Sequence, residues 1–523
     1  MNKSKTKDKN NKKKRYEWRK GEKEHMKSRK TKQEQGITLI ALVITVVILI
    51  ILATVTITLV FGEGGLIKRA QEGKELTDQA QKDEQDELKG AEEFINGVLA
   101  GTDLPDNPED KPYVDESIVV APQISEGMTP VKWNGSNWVQ TEATDSEWYN
   151  YGEKKWANVV LGGATFNEGV LDESKTYSML VWIPRYAYKI NSQYHANGSS
   201  AGEIDIVFID TANKGKDGSK TYSTTYPSAT TGGAMSDYVV HPAFDYGGTA
   251  LPGFWVGKFE SSNTAGYGDS SSTANTTNLT LQIKAGVTSW RSITVDNIFK
   301  VCTAMNDSGN PYGLTEASDP HMMKNSEWGA VAYLSQNTTY GKGSEVWINN
   351  SSDFITGSAG NSVSASPDTG TTNDYKSTQG QNASTTGNVT GVYDMSGGAW
   401  EYVAAYVNNG HSNLTTYGSS LVNAEAKYKD VYSKGSSDSY SNNYAVSTPA
   451  NGHYGDAVWE TSNSGTSTNS WYSDYSYFPY AVTPFFHRGG GYSYGTGAGV
   501  FYFNSSNGYY YSNLSFRLVV PVL

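Results

Sequence analysis

The sequence predicts an α+β domain with long loop insertions, carried behind a membrane-spanning helix and a charged helical stalk. Three observations lead there. Residues 37–61 carry no charge and are long enough to cross a bilayer as a helix. Beyond Tyr113 helical periodicity nearly vanishes, and short apolar runs of strand character take over. Between those runs lie long polar stretches at 193–235, 357–390 and 408–475, which read as surface loops decorating a core.

The chain has 523 residues, enough for a membrane segment and a domain with a real core. Residues 1–36 hold 15 Lys and Arg against 5 Asp and Glu, a net +10, which leaves −22 for the remainder of a chain whose total is −12. An acidic outer part argues against nucleic-acid binding. The single cysteine, Cys302, excludes an internal disulfide and a Cys-rich metal site.

The basic segment 1–36 precedes the span and the acidic bulk follows it. The positive-inside rule therefore puts the N-terminus in the cytoplasm and the rest outside. Gly36 followed by Ile-Thr-Leu-Ile, at the end of a basic leader, resembles the type IV prepilin signal. The resemblance implies cleavage between Gly36 and Ile37 by a prepilin peptidase. Ala41 stands at the fifth mature position, where that family usually carries Glu for fibre assembly, so a pilus does not follow from the motif. Residues 62–101 open on the breaker Gly-Glu-Gly-Gly and continue as a charged helical stalk. Residues 102–112, rich in Pro and Asp, form a linker. Residues 113–523 form one domain.

Within that domain, "TPVKWNGSNWVQT" reads as a hairpin turning at Asn134-Gly135-Ser136. "YSMLVWIPRYAYKI" (177–190) is a buried strand broken by Pro184, "EIDIVFID" (203–210) alternates, and "GFWVGKFESS" (253–262) is another strand. Two helices are expected. One places Val295, Ile298, Phe299, Cys302 and Met305 on a single stripe. The other begins with an Asn325/Ser326 cap and carries Trp328, Val331, Ala332 and Leu334.

Five phrases in order, "GFWVGKFESSN", "MKNSEWGAVAYLS", "GVYDMSGGAWEYVAAY", "RGGGY" and "SFRLVV", resemble the formylglycine-generating-enzyme-like branch of the C-type lectin fold over residues 177–523. The resemblance implies that fold. Read physically, the phrases need no catalysis: Trp328 and Trp400 are expected as core plates, and Arg488 and Arg517 as locking the ends of the tail by hydrogen bonding. The family's oxidase chemistry depends on a copper-binding cysteine pair between the last two phrases, and residues 489–516 contain no Cys. Cys302 falls on an apolar helical stripe and reads as structural. No enzyme is therefore expected.

Other chemistries lack their motifs. His25, His195, His241, His321, His411, His453 and His487 are scattered, with no H-E-x-x-H, P-loop or EF-hand spacing. "GGGYSYG" is not followed by a helix and so does not read as a phosphate cradle. Glu327 and Glu401 each adjoin a Trp in a fold-defining phrase and read as structural. No cofactor and no metal site is expected.

Between Arg488 and Arg517 the chain is uncharged and rich in Tyr, Ser, Asn and Gly. Tyr supplies rigid amphipathic contact area, and Ser, Gly and Asn supply adaptable hydrogen bonds. The tail 492–515 also resembles the variable region of proteins diversified by diversity-generating retroelements. There, randomised adenines in AAC-type codons cannot produce Trp, Met, Lys, Gln or Glu, and residues 492–515 contain none of these. The resemblance implies variable ligand-binding positions at Ser493, Tyr494, Gly497, Tyr502, Asn504, Ser505, Ser506, Asn507, Tyr509, Tyr510, Tyr511, Ser512, Asn513 and Leu514. Phe503 and Phe516 are expected to point into the core. The expected function is a single-pass bacterial surface receptor or adhesin with its C-terminal domain outside. Its partner is a protein or glycan on another cell, phage or host surface. The alternatives are a minor pilin or pseudopilin and an oxidase relative.

Overall fold

Pro184 divides the apolar run 177–190 into two strands that enter different sheets. It offers no N–H to a continuing ladder. In the computed structural model, which describes residue 115 and residues 119–523 apart from 217 and 269–272, Met179–Pro184 lies near the middle of a nine-stranded sheet and is buried throughout. Tyr186–Ile190 instead pairs with Ile204–Phe208 and Val239–Val240 in a separate three-stranded sheet. The leader, the expected span, the stalk, the linker and the processing residues Gly36 and Ile37 lie outside the described residues. Among the described residues no helix is long and apolar enough to cross a membrane.

The expected hairpin is present as Met128–Trp133 against Trp138–Gln140. Its turn uses Gly135 at φ +98°, a conformation that disfavours a side chain. The Trp133 and Trp138 rings meet edge to face at 5.5 Å across the pair. Gly253–Gly257 runs antiparallel to Met179–Pro184 on one side and to the C-terminal strand Leu518–Val520 on the other. The end of the chain is thus built into the large sheet.

The helix Val295–Thr303 buries Val295, Ile298, Phe299 and Cys302, with Met305 just beyond, as the stripe predicts. Thr294 caps it by accepting from the Asn297 N–H at 3.3 Å. The helix Asn325–Gln336 starts one residue earlier than expected. Its cap position is Lys324, and Asn325 and Ser326 lie inside the first turn. The Glu327 carboxylate, rather than an Asn or Ser side chain, reaches back to the Lys324 N–H at 2.8 Å.

The stretch 408–475 is not a loop decoration. It contains the helix Ser412–Asn423, the shorter helix Tyr440–Ala445 and the strand Asp430–Ser433. Trp471, Glu460 and Asp474 within it are completely buried. Its apolar core residues, Leu414, Leu421, Tyr432, Tyr444, Ala457, Val458 and Trp471, are widely spaced, and polar contacts fill in between them, so no apolar period marks it in the sequence. Glu460, for example, accepts from the hydroxyls of Tyr188 at 2.9 Å and Tyr333 at 2.9 Å, and from Tyr226 at 2.6 Å.

A second sheet, mixed in direction, carries the tail. Its strand order is Asp430–Ser433, Trp400–Asn408, Phe485–Gly489, Gly499–Ser506, and Leu514–Phe516 lies parallel to the start of Trp400–Asn408. The architecture is α+β, mostly sheet with few helices.

Candidate ligand-binding face

Two buried arginines hold the ends of the tail, as their position in the sequence suggests. Arg488 donates to Asn325 Oδ1 at 3.2 Å and to the carbonyls of Asp456 and Ala457, both at 3.1 Å. Arg517 forms a two-point pair with Glu401, through Nε at 3.0 Å and Nη2 at 2.6 Å. It also donates to the Gly257 and Tyr393 carbonyls. A guanidinium fork matched to a carboxylate fixes orientation as well as contributing energy. After Arg488 the glycines turn the chain in close quarters. A Cβ on Gly490, at φ +75°, would come within 2.6 Å of Ala498 Cα, and one on Gly491 within 2.8 Å of the Trp400 ring.

Two loops of the tail rise from this frame. The first, 491–498, is folded by Tyr494 N–H donating to the Gly491 carbonyl at 2.9 Å and Gly497 N–H to that of Tyr494 at 3.0 Å. The second, 507–513, is fastened by its backbone. Val295 N–H donates to Gly508 O at 3.2 Å, Ser292 N–H to Tyr511 O at 2.9 Å, and Trp400 N–H to Asn513 O at 3.0 Å. Arg291 donates to the Ser512 carbonyl. The backbone is held while Tyr511 and Ser512 stay exposed, and Asn507 Oδ1 turns back to accept from the Tyr509 N–H at 3.0 Å. Tyr509 and Tyr510 stack at 3.9 Å, Tyr511 meets Tyr509 at 5.4 Å, and Tyr417 of the Ser412–Asn423 helix closes the group at 5.4 Å.

The expected contact positions divide by exposure. Ser493, Tyr494, Tyr511 and Ser512 are exposed. Gly497, Asn504, Ser505, Asn507, Tyr509, Tyr510 and Asn513 are half-buried. Three expectations are corrected: Tyr502, Ser506 and Leu514 are buried. Tyr502 and Ser506 lie on the strand Gly499–Ser506. The Tyr502 hydroxyl accepts from Trp400 Nε1–H at 2.9 Å and from the Asn504 amide at 2.8 Å. Ser506 Oγ bonds the Tyr402 hydroxyl at 2.7 Å. Leu514 belongs to the main apolar core. Phe503 and Phe516 are buried as expected.

Trp328 is a core plate, but Trp400 is only half-buried. Its ring supports the face, edge to face with Tyr494 at 5.2 Å. Beneath it lies His487, 5.8 Å from the Tyr502 ring. Burial pushes the His487 imidazole down to about 3, so it is neutral, and its Nδ1 has no hydrogen-bond partner among the described residues. Tyr440, Tyr475, Tyr477 and Tyr480 also join the ring network and are half-buried. Sequence reasoning missed them as site residues, although the Tyr-Ser-Tyr alternation at 475–477 is visible as a strand signal.

Cys302 is completely buried, and that burial pushes its thiol up, away from the reactive thiolate. Glu327 and Glu401 do not share a site. Glu327 pairs with His321 at 2.9 Å, and Glu401 is taken by Arg517. Among the described residues no group of three or more His, Cys, Asp or Glu is placed to hold a metal ion. No protein-family model matches the chain, and no curated protein does.

Proposed function

We propose that this protein is a membrane-anchored bacterial surface receptor or adhesin. In this reading its outer domain has the C-type lectin fold of the formylglycine-generating-enzyme-like branch, and the tail is a ligand-binding face diversified by a retroelement. The observation that carries the proposal is the division within the 507–513 loop. Its backbone is fastened to 291–295 and to Trp400, while Tyr511 and Ser512 remain exposed. A loop built this way tolerates side-chain exchange without loss of the scaffold, because rigid folds commonly carry binding residues on loops. Tyr, Ser, Gly and Asn on such a loop have the character of a paratope.

The test is sequencing of the 3′ end of the gene across independent isolates, together with the neighbouring DNA. The expected result is a near-copy of that end beside a reverse transcriptase, with substitutions confined to codons that align with template adenines. Codons 493, 494, 497, 504, 505, 507 and 509–513 should vary, and those for Phe503, Phe516 and Arg517 should not. Uniformly scattered substitutions, or a complete genome without the template, overturn diversification. In parallel, cells carrying Tyr494→Ser, Tyr510→Ser and Tyr511→Ser together should lose adhesion to their target cells at an unchanged melting temperature. Full adhesion by that variant overturns the binding role.

A further inference from the structure

We infer that the binding face extends beyond the tail onto a fixed strip of tyrosines, Tyr475 and Tyr477 continued by Tyr480 and Tyr440, and that this strip stacks against an uncharged oligosaccharide. The inference rests on the reading of the tail as a binding face and adds both its fixed half and the chemistry of its ligand.

The strip is joined to the tail by backbone pairing. Tyr475 N–H donates to Gly497 O at 2.9 Å, Phe503 N–H to Tyr475 O at 3.2 Å, and Tyr477 N–H to Phe503 O at 2.9 Å. Residues 475–477 thus lie along the free edge of the strand Gly499–Ser506, and fixed and variable parts form one surface. Extended backbone sends alternate side chains to opposite sides. Ser476 is completely buried, its hydroxyl donating to Ser464 and Ser467 carbonyls. Tyr475 and Tyr477 therefore face the same way, half-buried, with ring planes 10° apart and centroids 6.4 Å apart. Ring contacts run on from Tyr477 to Tyr440 at 4.9 Å and to Tyr480 at 5.7 Å. In the other direction they run from Tyr475 to Tyr494 at 6.2 Å and on to Trp400. The row passes from a segment before "RGG" into the tail itself.

Charge selects the occupant. Residues 475–482 and 489–516 contain no Asp, Glu, Lys or Arg. A phosphate or a sulfate finds no opposite charge there to offset its desolvation. The carboxylate beside Tyr440 and Tyr480, Asp438, is already engaged by the Ala481 N–H at 2.9 Å and by the Asn409 and Asn443 amides, which leaves little for a basic peptide. A sugar ring is neutral. It offers a face of C–H bonds to the electron-rich face of an aromatic ring and a rim of hydroxyls that both donate and accept. Tyrosine hydroxyls and the Asn504 and Ser505 side chains match that rim. Two nearly parallel rings on one extended segment suit successive rings of a sugar chain. The fixed strip would hold the sugar class, and the variable tail would choose among its members.

The experiment uses the full chain in detergent micelles on a printed panel of uncharged oligosaccharides, with sialylated and sulfated counterparts alongside. Binding to at least one uncharged member is expected, with a loss of tenfold or more in Y475S/Y477S at an unchanged melting temperature. If that variant fails to fold, saturation-transfer NMR on the unmodified chain serves instead. Irradiating tyrosine ring protons should attenuate the C–H protons of the bound sugar. The inference is overturned if only acidic glycans bind, if no glycan binds, or if Y475S/Y477S binds as tightly as the parent. It is also overturned if the partner proves to be a protein whose capture survives removal of its glycans. Tail-dependent adhesion that persists in any of those cases leaves the proposed receptor function standing. Its loss is read separately, from the tail variants.

Discussion

Arg517 grips Glu401 through two hydrogen bonds, at 2.6 and 3.0 Å, with both side chains sealed from solvent. The pair joins the end of the tail to the strand Trp400–Asn408, and Arg517 Nη1 reaches on to Gly257 of the large sheet at 2.7 Å. Removing one partner strands a buried charge, which typically costs about 3–5 kcal/mol. Arg517→Ala should therefore lower the urea midpoint sharply. Arg517→Lys, which keeps the charge but loses the planar fork, should fall between it and the parent. An unchanged midpoint for Arg517→Ala means that the pair does not hold the sheets together.

The tail should separate into tolerant and intolerant positions. Tyr511→Ser and Ser512→Ala alter exposed side chains and should each shift stability by less than about 0.5 kcal/mol. Tyr502→Phe leaves Trp400 Nε1–H and the Asn504 amide without their acceptor, at a cost of about 1–3 kcal/mol. Denaturant titration of the three variants checks this. Equal costs at all three contradict the division.

Cys302 should behave as a small apolar residue. Alkylating reagents should leave the folded protein unmodified and label it fully in denaturant, as read by intact mass. Cys302→Ser places a hydroxyl in the core and should cost roughly 1–3 kcal/mol. It should not affect ligand capture by the folded fraction.

Glu460 gives the domain a pH dependence with a definite sign. Burial raises its carboxyl from an ordinary value of 4.5 to about 7. The folded state therefore holds a proton that the unfolded state has released across that interval. Its contribution is full below about pH 4.5 and is lost as pH rises through about 7, a change on the order of 3 kcal/mol. Glu460→Gln remains neutral throughout. The stability of the parent relative to this variant should fall between pH 5 and pH 8 in chemical denaturation. A difference that is flat, or that grows, contradicts the assignment.

Much of the frame is legible in the sequence because its signals are local. The stripe from Val295 to Met305 follows helical spacing, Gly135 marks the hairpin, and Pro184 ends a strand by what it lacks. Arg488 and Arg517 stand out as the only charges bounding a neutral run. The helix Ser412–Asn423 is hidden because only Leu414, Gly418 and Leu421 are buried on it, too few to mark a period. The lining around Glu460 is hidden because its donors, Tyr188, Tyr226 and Tyr333, come from distant parts of the chain.

That a neutral, tyrosine-rich segment lies between two arginines and closes on an apolar strand is plain from residue order alone. Composition carries that information, and it survives any folding of the chain. Which of those tyrosines face outward depends on long-range packing. Tyr502 is as compatible with a binding surface as Tyr511 until the strand Gly499–Ser506 is placed between its neighbours. Trp400 and Asn504 then converge on the Tyr502 hydroxyl, and the Tyr494 ring meets the Tyr502 ring edge to face at 5.8 Å. Tyr475 and Tyr477 enter the same surface because their backbone pairs with that strand's free edge. Burial depends on what packs against a residue from far along the chain, and no local pattern records that.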